Sequence, residues 1–244
     1  MNPVALITGA SRGIGAACAK AFARAGYSVV ILYRRRSDLA EALCSELRAE
    51  GQDAMCIQAD VADRRQVFSA VDEILRRYHR IDVLVNNAAI AQQKLFTDIT
   101  EEEWDRMFDV NVKGAFHCTQ AVLPRMISDR HGAIVNISSM WGQVGASCEV
   151  HYSASKAALI GFTKALAQEV GPSQVRVNCI APGVIRTDMN AHLDEETISS
   201  LCDETPLMRI GEADEVARAA LWLCSEGASF ITGQVLGVNG GFII

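Results

Sequence analysis

The chain has no excess of positive charge. Its 244 residues carry a formal net charge of −6. A nucleic-acid binder needs a basic footprint, so that class is excluded. It has no apolar run of roughly eighteen residues, so no membrane span is expected. Its start, Met1-Asn2-Pro3-Val4-Ala5-Leu6-Ile7, has neither a basic segment nor a long apolar one. No signal peptide is therefore expected, and the expected location is cytoplasmic. It has no low-complexity tract and no Pro/Gly-rich linker, which predicts one domain over residues 1–244. Eight cysteines are present, yet none forms a C-x-x-C or a Cys/His ligand spacing. They read as reduced thiols packed as small hydrophobes, with no metal site. Cys148, shortly before Tyr152, reads as structural too.

What is present is an ordinary globular composition, 50% hydrophobic and 21% charged. Short apolar runs alternate with helical stretches. Strands are expected at Val4–Thr8, Ser28–Tyr33, Ala54–Gln58, Ile81–Val85, Ala133–Ile137, Val175–Ile180 and Gln234–Asn239. Helices are expected at Gly13–Ala25, Asp38–Glu50, Asp63–Arg77, Glu101–Ser128 (broken near Asn111), His151–Val170, Glu195–Cys202 and Ala213–Cys224. Glycine closes the first two helices, at Gly26 and Gly51. Nearly uniform apolar strands joined by helices predict an α/β fold, a doubly wound parallel sheet with helices on both faces. The segment 185–211 has few strand signals and is expected to form a lid.

Two groups of residues carry chemistry. Tyr152 and Lys156 stand at i and i+4 of an expected helix and share a face. An ammonium there can lower the phenol's pKa and make it a usable acid or base. Ser139, at the end of the preceding strand, can hold a carbonyl oxygen beside that phenol. Such a set moves a proton on and off an oxygen, and it needs a hydride source. Thr8-Gly9-Ala10-Ser11-Arg12-Gly13-Ile14-Gly15 joins the first strand to the first helix. Gly9 permits a tight turn, Gly13 lets a pyrophosphate approach the backbone, and Gly15 lets the helix pack on the strand. The second strand ends Tyr33-Arg34-Arg35-Arg36, with no acidic residue to grip a ribose hydroxyl. Arg12 and Arg34 suit a 2′-phosphate and so NADP(H), whereas Arg36 reads as a solvated charge. Asp60 can accept from an adenine amino group while Val61 packs its ring. Asn87, Ala88 and Ala89 end the fourth strand beside the cofactor.

These motifs, with Asn86, Asn111, Pro182-Gly183 and the closing Ile231-Thr232-Gly233 to Gly241, together resemble the short-chain dehydrogenase/reductase family across the whole chain. The sequence is most similar to its bacterial 3-oxoacyl-acyl-carrier-protein reductase branch, which uses NADPH and forms tetramers. The resemblance implies that Tyr152 is the general acid, Ser139 polarises the carbonyl, and Lys156 binds the nicotinamide ribose and lowers the tyrosine pKa. It implies that Asn111 kinks its helix and holds a water linked to Lys156. Pro182, Gly183, Val184 and Thr187 would pack against the nicotinamide.

The chain departs from the family pattern in two places. Asn86-Asn87-Ala88-Ala89 ends in alanine rather than glycine, which costs little if φ stays negative. Arg130 stands where a residue facing an acidic carrier protein is expected, but Ser173 occupies the second such position. In the stretch before Tyr152, Met140 and Trp141 offer an apolar wall and Glu149 a contact for a cationic or polar substrate; packing of Trp141 within its own loop is the alternative. This stretch is also similar to a branch that reduces an aminopentanone carried on a lysine of elongation factor P. His151 lies on another helix face and reads as pocket wall or surface. Ser139 is on no G-x-S-x-G elbow, so a hydrolase is not supported there. A non-catalytic nucleotide sensor on the same fold is the remaining class. The apolar tail, Phe242, Ile243 and Ile244, is expected to be covered by another subunit of a homotetramer. The arginines predict a marked preference for NADPH over NADH. Catalytic efficiencies with the two cofactors measure it, and equal or better use of NADH contradicts it.

Overall fold

The computed structural model describes residues 2–191 and 193–243; the expectation for Ile244 falls outside them. The chain opens with β1 (Val4–Thr8), α1 (Gly13–Arg24), β2 (Ser28–Tyr33), α2 (Ser37–Ala49), β3 (Ala54–Gln58), α3 (Arg64–Tyr78) and β4 (Val83–Asn86). It continues through α4 (Glu101–Phe108), a π-helical turn (Asp109–Lys113), α5 (Gly114–Asp129), β5 (Gly132–Ile137), α6 (Trp141–Val144), α7 (Val150–Val170) and β6 (Val175–Pro182). It ends with β7 (Ile185–Arg186), α8 (Glu195–Glu204), β8 (Gly211–Glu212), α9 (Ala213–Cys224) and β9 (Val235–Val238).

Seven parallel strands form one sheet in the order β3-β2-β1-β4-β5-β6-β9. The parallel sheet explains the strands' continuous apolar character, because both faces are covered. Side chains alternate between the faces. Ala5, Ile7, Val29, Ile31, Val83 and Val85 join a core with α1, α2 and α9. Val4, Leu6, Val30, Leu32 and Leu84 join a second core with α3, α5 and α7. The chain builds outward from β1 to β3, then returns to place β4 on the other side of β1. That reversal opens a crevice at the carboxyl ends of β1 and β4, the usual ligand position of such sheets.

Element boundaries agree with the sequence to within one or two residues at most ends. The segment expected to form a lid carries strand pairing at its ends. Its flanks pair as a two-residue parallel ladder, Ile185 with Gly211 and Arg186 with Glu212, which pins the base of the segment. Two-residue strands carry too little periodicity to be seen in sequence. The expected break near Asn111 is a π-helical turn rather than a simple kink. The short helix α6 was not anticipated.

The opposite end of the sheet is held by a carboxylate. Asp82 accepts from the Val4 N–H at 2.7 Å and from Arg80 Nε at 2.8 Å. Its side chain is buried, so the pairing must satisfy it. Asp82→Ala should destabilise the fold by about 2–4 kcal/mol, because it strands a buried N–H and an arginine. It should leave nucleotide affinity unchanged, since the crevice is at the other strand ends. Urea denaturation with a nucleotide-binding measurement checks both.

Candidate active site

The tip of β5 and the first turns of α7 are bonded together. Ser138 Oγ donates to the Lys156 carbonyl at 2.8 Å, and Lys156 Nζ donates to the Ile137 carbonyl at 2.8 Å. Tyr152 lies one turn before Lys156, and the ammonium is 5.7 Å from its ring centroid. Ser139 is near enough to the Tyr152 hydroxyl to favour its ionised form, and Ser139 Oγ accepts from the Trp141 N–H at 3.2 Å. The three expected residues are thus gathered, with Tyr152 8% and Lys156 3% exposed.

The electrostatics differ from the expectation. Burial pushes the Tyr152 hydroxyl up to about 12, opposed by the nearby Ser139 side chain and reinforced by the charge of Glu149. Lys156 does not lower it. Its Nζ is turned to the Ile137 carbonyl, and burial takes Lys156 itself down to about 8. Desolvation disfavours whichever form is charged, so the acid rises and the base falls.

Asn111, in the π-helical turn, braces this cluster. Its Oδ1 accepts from Ile90 N–H at 2.8 Å, and its Nδ2 donates to the Ile90 carbonyl at 2.9 Å and to Ser155 Oγ at 3.0 Å. Ser155 Oγ in turn donates to the Tyr152 carbonyl at 2.7 Å. A π-turn inside a helix often marks a functional site, because its extra residue re-aims a side chain. Ser138 and Ser155 flank Ser139 and Lys156 in the chain, but the bonds that give them a role form between elements distant in sequence.

The stretch before Tyr152 is more buried than expected. Met140 is 1% exposed and supports the loop from inside. Trp141 meets Phe242 edge to face at 5.7 Å, so it packs on the tail rather than within its own loop. The Glu149 carboxylate accepts from Gln93 Nε2 at 3.2 Å. His151 is 0% exposed, which corrects the surface reading. Its Nε2 meets Gln92 Oε1 at 3.0 Å, and burial lowers its pKa. Gln92 and Lys94 both bond Glu103 of α4, and the Lys94 N–H donates to the Cys148 carbonyl at 2.7 Å. The strand-end loop is therefore tied to α4 and to the approach to α7.

At the β1/β4 reversal lies a cleft of about 310 Å³. Gly9, Ser11, Arg12, Gly13 and Ile14 form one wall, and Tyr33 and Arg34 the far end. Asp60 and Val61 line it from the end of β3, and Asn87, Ala88 and Ala89 from β4. Thr187 closes it from the lid side. Gly15 is buried in the first turn of α1. Thr8 Oγ1 accepts from the Asn87 and Ala88 N–H groups at 3.0 Å, and Asn87 Nδ2 donates to the Thr8 carbonyl at 2.9 Å. These bonds hold the glycine loop on β4. Ala89 is not among the non-glycine residues with positive φ, so the alanine is unstrained.

The cleft suits a dinucleotide. Gly9 has φ +64°, and a Cβ there would lie 2.8 Å from the Ala88 Cα. Gly13, φ +55°, leaves the cleft open up to Thr187. The N-terminus of α1 has no side-chain cap and no acidic residue in its first turn. α3, α4 and α8 are capped by Asp63, Thr100 and Asp194, whereas α2 and α7, like α1, have no side-chain cap. An uncapped helix start facing a glycine-rich wall fits an anion.

Several placements differ from the sequence reading. The sequence assigns Arg34 and Asp60 separate roles, yet they form an ion pair at 2.7 Å. Arg36 lines the cleft and is held by Asp38 at 2.7 Å instead of being merely solvated. Arg35, to which the sequence reading gave no role, lines the cleft as well. Pro182, Gly183 and Val184 do not line this cleft. The Pro182 carbonyl accepts from Met140 N–H at 2.9 Å and Gly183 N–H donates to the Val238 carbonyl at 3.0 Å. Val184 faces a separate hollow of about 440 Å³ with Thr205 and Gly237. Among the described residues, no group of three His, Cys, Asp or Glu side chains could hold a metal. No described helix is long and apolar enough to cross a membrane.

Comparison with known proteins follows the same lines. The family model described as enoyl-(acyl carrier protein) reductase matches residues 9–243. The chain is 42% identical over 241 residues to a 3-oxoacyl-[acyl-carrier-protein] reductase of Staphylococcus aureus, covering 99% of this chain and 98% of that protein. It is 42% identical over 242 residues to a like-named protein of Synechocystis, covering 99% and 97%. It is 41% identical over 241 residues to one of Thermotoga maritima, covering 99% and 98%.

The buried lysine has a stability signature. A cation whose folded pKa is depressed costs stability while it must be protonated, below that pKa, and the cost fades as pH rises to the unfolded value. From 10.5 to about 8, the cost is up to about 3 kcal/mol. Lys156→Met should therefore melt higher than the parent at pH 7, with the gain shrinking toward pH 10.5, while turnover is lost. Thermal melts across pH check it, and a variant less stable at pH 7 contradicts it.

Proposed function

The chain belongs to the short-chain dehydrogenase/reductase family, and we propose that it is an NADPH-dependent ketone reductase acting on 3-oxoacyl thioesters carried on acyl carrier protein. One observation carries the reading. Tyr152, Ser139 and Lys156 are buried together, with the lysine ammonium 5.7 Å from the phenol ring centroid and anchored on the Ile137 carbonyl. A phenol that stays protonated at neutral pH is in the state needed to give its proton away.

NADPH, when bound, supplies the hydride. Its pyrophosphate fits the wall of Gly9, Ser11, Gly13 and the start of α1, with Ile14 and Gly15 shaping the first turn. Arg12 and Arg34 answer a 2′-phosphate beside Tyr33. Asp60 and Val61 take the adenine, and Asn87, Ala88 and Ala89 flank the ribose. Pro182, Gly183, Val184 and Thr187 stand on the nicotinamide side, with Lys156 near that ribose. Tyr152 and Ser139 aim two hydroxyls at one point, where a ketone oxygen gains negative charge as its carbon is reduced. Donors fixed in advance at such an atom are the largest source of rate. Tyr152 gives its proton to that oxygen, and Ser139 holds it. Lys156, near its own pKa at neutral pH, can return a proton to the phenolate. Asn111 keeps Tyr152 in place through Ser155. The product is the 3-hydroxy thioester.

The relatives' names support the carrier-bound substrate. Arg130 is the basic residue on this side; its Nη2 donates to the Pro172 carbonyl at 3.3 Å, next to Ser173. The segment whose ends pair as the β7–β8 ladder, Ile185 with Gly211 and Arg186 with Glu212, is the substrate lid of this reading. Apolar residues left on the surface, among them Phe116 and Phe230, support a homotetramer, and the free cysteines support a cytoplasmic protein.

An NADPH-consumption screen tests this reading. Acetoacetyl and longer 3-oxoacyl thioesters should show kcat/KM at least tenfold above free ketones and above a lysine-linked aminopentanone. A preference for the lysine-linked ketone refutes the carrier-protein substrate. Tyr152→Phe should lower kcat about a thousandfold and leave NADPH affinity nearly intact. Retained turnover refutes the role of the phenol.

A further inference from the structure

We infer that Arg106, on the last turn of α4, is a positioning residue for cofactor choice: it holds Asp60 so that Arg34 can leave that carboxylate for a 2′-phosphate. The inference rests on the NADPH reading above. Neither the sequence pattern nor the lining of the cleft points to Arg106. Its Nη2 reaches Asp60 Oδ2 at 3.3 Å, the same oxygen that Arg34 Nε meets at 2.7 Å. The Asp60 side chain is only 18% exposed. Its other oxygen accepts from the Ala62 N–H at 3.0 Å, and its own N–H donates to Gln66, so the carboxylate is fixed in place.

That arrangement creates a conflict if Arg34 acts alone. An arginine committed to a carboxylate is neutralised as an anion receptor. Pulling it away would leave a largely buried charge without a counter-ion, which is strongly unfavourable. With Arg106 on the same oxygen, Asp60 keeps a partner when Arg34 turns. Arg106 does not line the cleft, so it acts through Asp60 and does not touch the nucleotide. The cations are close enough to feel one another. Burial lowers the Arg34 pKa, Asp60 opposes this, and Arg106 and Arg35 add to the lowering.

The charge count at this end agrees. Arg12, Arg34, Arg35, Arg36 and Arg106 face Asp188, Asp60 and Asp38, so five cations meet three carboxylates. Two positive charges remain over. A phosphate monoester carries about −1.5 to −2 at neutral pH. Arg106 is one of the two that make up this surplus, and without it Asp60 claims Arg34.

Titration calorimetry with adenosine 2′,5′-bisphosphate and with 5′-AMP tests this without turnover. The wild-type protein should prefer the bisphosphate. Arg106→Gln should weaken bisphosphate binding about tenfold and leave 5′-AMP binding unchanged, while Arg106→Lys should retain part of the preference. In an Asp60→Asn background, Arg106→Gln should have little further effect, because Arg34 is then already free. A loss that persists undiminished in that background shows Arg106 acting as a direct charge and overturns the inference. An equal loss for both nucleotides shows a merely structural role and also overturns it, as does a variant that discriminates like the parent. A wild-type protein that does not discriminate overturns the NADPH reading and this inference with it.

Discussion

The site depends on two reciprocal hydrogen bonds between the tip of β5 and α7. Ser138 Oγ reaches the Lys156 carbonyl, and Lys156 Nζ reaches back to the Ile137 carbonyl, both at 2.8 Å. These two bonds set the height and rotation of α7 against the sheet. Tyr152, one turn earlier, is thereby brought to Ser139. A shift of α7 by one residue would turn the phenol by about 100° and separate the pair. The π-helical turn adds a second anchor, since Asn111 reaches Ser155, which holds the Tyr152 carbonyl.

Burial then tunes the two ionisable groups in opposite directions. The phenol rises and the ammonium falls, because each is pushed toward its neutral form. The result differs from the sequence expectation, in which the lysine lowers the tyrosine. The phenol is held neutral, and the lysine is brought down toward neutrality. The same desolvation that makes Lys156 useful makes it costly to the fold, which is the usual tension between activity and stability.

At the arginine-rich end of the cleft the dominant constraint is that several guanidinium groups share a few carboxylates. Arg12, Arg34 and Arg36 each hold an aspartate. A receptor for an anion that is already internally paired can still discriminate, provided its carboxylates have somewhere else to turn. Arg106 gives Asp60 that alternative. The cations at this end of the cleft thus belong to a charge network that joins the ends of β2 and β3 to α4.

Periodicity along the chain was enough to show the parallel sheet, the helices on both faces and the order of the motifs, because burial on two sides leaves a uniform apolar signature in every strand. The residue types of the glycine loop, Ser139, Tyr152 and Lys156 were legible for a similar reason, since their chemistry is local and their spacing follows from one strand end and one helix turn. Tertiary structure alone decided the rest. The pairing of Arg34 with Asp60 and Arg106 joins three segments distant in sequence. The burial of His151 and Met140, and the contact of Trp141 with Phe242, follow from how loops close over one another. The raised tyrosine pKa follows from the water excluded around it. Composition and spacing name the groups that can react; which charges meet, and how dry each one is, depends on the packing of elements that the linear order does not place side by side.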